Sequence, residues 1–208
     1  MDLKDIAVIV GIIKDVMLAV AAVVTALVAV RGVSGWLREL RGRTEFESAL
    51  ALMKATYSLR EALFSCRAPL ILAGEFPSGY SQVTDGSNAE KKGKAYAHVL
   101  GERWSAVVAT LSEFDARSLE SEAIWGKDIR DATESLRKDV NTLYAAIVSY
   151  IDDAYIGGEN FKEDPAFGIR VRRDVFASRD ASDNALSNRI LSNIQRIEMF
   201  ASPHLGRP

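Results

Sequence analysis

The chain has 208 residues, a formal net charge of −2, 48% apolar and 26% charged residues, and one cysteine, Cys66. These figures allow one ordinary domain plus an anchor, and they exclude an intrachain disulfide and any multi-cysteine metal site. The balance of charge gives no support to nucleic-acid binding, which needs a basic excess on one face. A lone cysteine fits a reducing compartment.

The averages hide a split. From Ile6 to Val30 the only charges are Lys14 and Asp15, whereas the chain from Arg31 onward is normally charged. A hydrocarbon core of ~30 Å needs about 20 helical residues at ~1.5 Å each. Counting back from Arg31 puts the other edge near Gly11. Lys14 and Asp15 then sit ~5–6 Å inside that edge, a depth from which lysine snorkels to the headgroups. The stretch is therefore expected to be a single transmembrane helix, with residues 1–35 as the membrane anchor.

A signal peptide carries its positive charge before the apolar core. Here Arg31, Arg38, Arg41 and Arg43 follow it. An amphipathic surface helix needs a polar face, but Val16 to Val30 is apolar all round except at Thr25. The arginines place the C-terminal part in the cytoplasm and the N-terminus outside, by the positive-inside bias. In a bacterial cell this means the plasma (inner) membrane. Lys14, Arg31, Trp36, Arg38, Arg41 and Arg43 are the expected interface residues.

Asp15, Ala19, Ala22, Ala26 and Ala29 follow one another at steps of four and three and share a helix face with Val8, Ile12 and Val33. Small residues on one face let backbones approach closely, the usual form of an association surface in lipid. Asp15 on that face is either buried between helices or, the reading favoured by its shallow depth, paired with Lys14 or water at the interface.

Residues 36–208 are expected to form a cytoplasmic helical domain. Gly32, Gly35 and Gly42 allow either a bendable junction or a continuous helix, and Thr44 with Glu47 has the spacing of a capping box. Two apolar seams follow: Phe46, Leu50, Met53, Tyr57, Phe64, and Ala49, Leu52, Leu59, Leu63, Cys66. They imply a helix covered on both sides, with Cys66 as a small core residue.

Pro69 ends that helix, and residues 67–94 read as a long loop. Asn88 can cap the next helix, which buries Tyr96, Leu100, Trp104, Val107, Leu111 and Phe114. Trp125-Gly126 marks a kink or turn. The next periodic run, Ile129, Thr133, Leu136, Val140, Leu143, Ile147, Tyr150 and Ala154, needs an apolar partner groove and stops at Gly157-Gly158. Residues 159–181 show no helical period and read as an ordered loop with a hairpin around Ile169 and Val171. Ser182 or Asp183 then caps a final helix through Leu186, Ile190, Ile194, Ile197 and Phe200, ended by Pro203. The expected fold class is all-α: one N-terminal transmembrane helix followed by an antiparallel four-helix bundle.

"VSGWLRELRGRTEFESALALMKATYSLREAL", with "APLILAGE", "LESEAIWGKDIRDA" and the closing "PHL", resembles a family of uncharacterised bacterial proteins with one N-terminal anchor and a helical cytoplasmic part. That resemblance implies a topology and no activity.

No catalytic, cofactor or metal site is implied by the residues. His98 and His204 are the only histidines, and neither has a partner at metal-ligand spacing. No phosphate loop, dinucleotide fingerprint or nucleophile elbow occurs. Asp152, Asp153, Glu159, Glu163 and Asp164 lack the ligand order of a calcium loop. Arg170, Arg172, Arg173 and Arg179 are expected to pair with that acidic neighbour. The expected function is a membrane-anchored interaction or scaffold protein without enzymatic activity. Its expected partners are the lipid bilayer, copies of itself and an unidentified protein. The alternative is an oligomeric pore or membrane-disrupting effector built on the alanine face.

Overall fold

The computed structural model describes residues 3–179 and 183–206. Among these residues every regular element is helical, and no strand occurs. The chain divides into two compact units, Met1–Phe46 and Glu47–Pro208.

Helix α1 spans Leu3–Cys66. In the first unit every residue from 17 to 33 is exposed, although the run is almost wholly apolar. Gly32, Gly35 and Gly42 lie within the helix rather than at a bend. Thr44 does not restart it as a cap, because its hydroxyl donates to the Leu40 carbonyl one turn back, at 3.0 Å.

The second unit opens with the last turns of α1, which bury Ala49, Leu52, Leu59, Leu63 and Cys66. Of the two apolar seams this one forms the core. Leu50, Tyr57 and Phe64 on the other seam are half-buried, and only Met53 is fully covered. Helix α2 (Gln82–Asp85) is a single turn inside the expected loop. Helix α3 (Ala89–Trp125) begins where Asn88 Oδ1 accepts the Lys91 N–H at 2.9 Å. It ends at Gly126, whose φ of 73° and ψ of −142° suit only glycine, and α4 (Lys127–Tyr155) starts at the next residue.

One connecting residue folds α3 back along α4. Arg130 pairs with Glu122, Arg137 with Asp115, Tyr144 stacks with Trp104 and Tyr150 with Tyr96. One number rises as the other falls, so the two helices are antiparallel. Ile129, Thr133, Leu136, Val140, Leu143, Ile147 and Ala154 of α4 are all buried. Leucines and isoleucines at this depth stabilise by roughly 1.5–3 kcal/mol each.

Residues 159–175 depart from the expected loop and hairpin. They form α5 (Glu159–Glu163) and α6 (Pro165–Val175), with Ile169 and Val171 both in α6. Asp164 accepts the Phe167 N–H at 2.9 Å, and Pro165 occupies the first helical position, where its missing N–H costs nothing. The last helix, α7 (Ala185–Ala201), is capped by Asn184 rather than by Asp183, through Oδ1 and the Ser187 N–H at 2.8 Å. Ser182, the other expected cap, lies outside the described residues. Pro203 sits in a 3-10 turn, Ser202–Leu205, that follows. Buried Asp139 of α4 accepts from Arg189 Nε at 2.8 Å and Asn193 Nδ2 at 2.7 Å, which ties α7 to α4.

Candidate functional site

Two features in the two units are candidates for contact with other molecules. The first is the apolar stretch of α1, which is long and apolar enough to cross a membrane by length and composition. Its large side chains from Met17 to Val33 are 51–68% exposed. Thr25, the one hydroxyl in the run, donates to the Ala21 carbonyl at 2.8 Å, so it presents no unmet donor. Lys14, Arg31, Trp36, Arg41 and Arg43 are placed along α1, with Lys14, Arg31, Arg41 and Arg43 exposed and Trp36 61% exposed. Ala19, Ala22, Ala26 and Ala29 are exposed as well. The side chains of Asp15 and Arg38 lie outside what the structure describes.

The second is a cleft of ≈ 510 Å³ in the helical unit, lined by Lys92 of α3, Tyr150, Asp153 and Ala154 of α4, Gly157 and Gly158, Phe161 and Lys162 of α5, and Arg172 of α6. Gly157 and Gly158 have φ of 76° and 84°, which lets the chain reverse between α4 and α5. Asp153 is buried, and its Oδ1 accepts the Phe161 N–H at 3.0 Å. It thus acts as a capping group. The Arg172 guanidinium lies over the Phe161 ring, 5.4 Å from its centroid. Burial, then the neighbouring Tyr96, raises the Tyr150 pKa and keeps the phenol neutral.

The expected pairing of the 170–179 arginines with the 152–164 acids does not occur among the described residues. Arg170 and Arg172 stack on Phe167 and Phe161 instead, and Arg179 pairs with Glu61 of α1. Asp153 and Asp164 each accept a backbone N–H instead. Helix α6 also carries these arginines as a helix rather than as a hairpin facing the acids. No group of three His, Cys, Asp or Glu that could hold a metal occurs among the described residues. His98 is exposed, and the His204 ring stacks on Trp125 with centroids 4.7 Å apart.

Two arginines brace this unit. Arg67 is fully buried, and its guanidinium donates to the Asp174 carbonyl (2.7 Å), the Arg173 carbonyl (3.2 Å), Ser187 Oγ (2.9 Å) and Asn184 Oδ1 (3.0 Å). Arg103 forks onto Glu75 at 2.6 and 2.9 Å and also donates to the carbonyls of Ala68 (2.6 Å) and Leu70 (2.8 Å). Those bonds hold the Glu75 carboxyl below its usual pKa and pin the segment after α1 against α3. Burial pushes the Cys66 thiol up to about 11, so it carries little thiolate and is suited to packing rather than to attack.

Neither the cleft nor the Arg67 brace was visible as a pattern. Lys92 is far in sequence from Lys162 and Arg172, and only the α3–α4 hairpin and the α4–α5 turn bring them together. Comparison with known protein families, curated proteins and solved structures finds no match to this chain.

Proposed function

We propose that the protein is a membrane-anchored helical interaction or scaffold protein, non-enzymatic and self-associating, held by residues 1–35 in the plasma membrane with its C-terminal helical domain, an antiparallel four-helix bundle, in the cytoplasm. The observation that carries this reading is the apolar run from Met17 to Val30, every residue of which is exposed. In water such a surface is costly at roughly 25 cal/mol per Å², whereas in lipid it is the matching solvent and its backbone bonds are already made within the helix. The following Arg31, Arg41 and Arg43 support the orientation.

The test is extraction. The native chain should stay with membranes through an alkaline wash, while Leu27→Arg, which places a charge near mid-span, should release much of it. Release of the native chain by the wash would sink the anchor. Protease added outside intact cells should spare the helical domain until the cells are permeabilised.

Self-association has its own measurement. In a Cys66→Ser background, a cysteine at Ala22 should cross-link between chains several-fold more than one at Leu18, because the alanine face permits close approach. Equal cross-linking at both positions would leave that face without a role, and a ladder well past the dimer would favour the pore alternative.

A further inference from the structure

We infer that the cleft bounded by Lys92, Lys162 and Arg172 binds a compact phosphate-bearing anion carrying at least two negative charges. Three cationic side chains from three helices line one concavity. Like charges brought to one cleft repel one another, and the arrangement is favourable when an anion occupies the space between them.

The lack of protein partners is selective. Lys91 and Lys94 on the same turn of α3 pair with Asp85 and Glu90, each at 2.6 Å. Lys92 between them has no carboxylate partner among the described residues, and neither has Lys162 or Arg172. Asp153 is the one carboxylate in the lining, and it is directed at the Phe161 N–H. Three cations against one committed carboxylate leave a surplus that suits a doubly charged phosphate better than a single carboxylate.

The cleft is also shaped and braced for a ligand. Its ≈ 510 Å³ falls in the range of small-molecule sites, roughly 300–1,000 Å³. The guanidinium of Arg172 is held in place by the Phe161 ring, and Phe161 is in turn seated against Gly168 of α6, where a Cβ would come within 2.7 Å of it. A guanidinium resting over an aromatic ring and two flexible ammonium groups can meet a tetrahedral phosphate from several sides. The phosphate could belong to a soluble metabolite or to a lipid headgroup, since both present the same chemistry.

The experiment uses the full chain in neutral detergent micelles. Sparing acetylation of lysines, read by mass spectrometry, is compared with no addition, with inorganic pyrophosphate, and with micelles doped with phosphatidic acid, whose phosphomonoester carries up to two negative charges. Pyrophosphate is expected to protect Lys92 and Lys162 several-fold while exposed Lys138 of α4 reacts as before. Calorimetric titration with pyrophosphate should give one site per chain. Its affinity should fall about tenfold in Lys162→Gln and again in Arg172→Gln, and stay unchanged in Lys138→Gln. Lys162 is exposed, so its substitution leaves the fold intact if the loss at Arg172 proves structural. Protection by the doped micelles alone assigns the site to a headgroup, and protection by pyrophosphate assigns it to a soluble phosphate. Equal weakening in Lys138→Gln, or no protection by either addition, overturns the proposal.

Discussion

Replacing Arg67 with methionine should lower the unfolding free energy of the helical unit by about 3–5 kcal/mol, more than any surface change in the chain. The side chain is fully buried and its guanidinium hydrogen-bonds no carboxylate; it donates to two carbonyls, a hydroxyl and an amide oxygen. The carbonyls of Arg173 and Asp174 belong to the last turn of α6, where no further helical N–H reaches them. Asn184 and Ser187 belong to the start of α7. A single group therefore joins the end of α1, the end of α6 and the start of α7, while its own carbonyl accepts the Ala177 N–H at 2.9 Å. Hydrogen bonds to a charged donor contribute ~1.5–3 kcal/mol each. The total loss is smaller than four of these, because Asn184 Oδ1 keeps the Ser187 N–H and the Arg173 carbonyl keeps Asn184 Nδ2. Arg67→Lys keeps the charge but loses the fork, so roughly half the stability should return. The check is denaturant unfolding of the full chain in micelles, followed by the near-ultraviolet signal of Trp104 and Trp125. A methionine variant within about 1 kcal/mol of the native chain would show that the brace is dispensable.

Gly168→Val should cost about 2–3 kcal/mol, whereas Gly101→Ala should gain about 0.5–1 kcal/mol. Both glycines are helical, so propensity alone predicts that both substitutions help. The difference lies in what a side chain would meet. Nothing lies within 4 Å of a Cβ on Gly101, but a Cβ on Gly168 would come within 2.7 Å of the Phe161 Cβ and 3.3 Å of its Cα. Those atoms sit at the root of a buried side chain and cannot swing aside, so α5 and α6 must separate. Unfolding midpoints of the two variants should move in opposite directions. If both rise, the close packing of α5 on α6 is wrong.

The legible parts of this fold are those whose signal is local and long. The α4 seam repeats over several turns, and every aliphatic position read from it is buried. The Asn88 cap is a short-range pattern and holds as expected. The 159–175 segment hides its helices because α5 has 5 residues and α6 has 11, too few turns for a period to stand out, and Gly168 interrupts the apolar face. Asp164-Pro165 was the available sign, a cap followed by proline at the first helical position. At α7 three successive polar residues could each cap, and only the register of Leu186, Ile190, Ile194 and Ile197 against the core selects Asn184. Arg67 could not be read at all. A buried arginine and a surface one look alike in sequence, and the acceptors that bury this one lie 106–120 residues away.

That separation sets an order of events during synthesis. The apolar stretch of α1 leaves the ribosome before the last turns of the helix, which follow it with Leu52, Leu59 and Leu63 uncovered. Leu186 and Ile190 of α7 belong to the same buried core, and two of the four acceptors for Arg67, Asn184 and Ser187, come from the same stretch. At about 5–20 residues per second, the interval between Cys66 and Leu186 lasts roughly 6–24 s. Throughout that interval the nascent chain carries an open apolar seam and an unanswered guanidinium, so the helical unit closes only after the apolar stretch of α1 has long emerged.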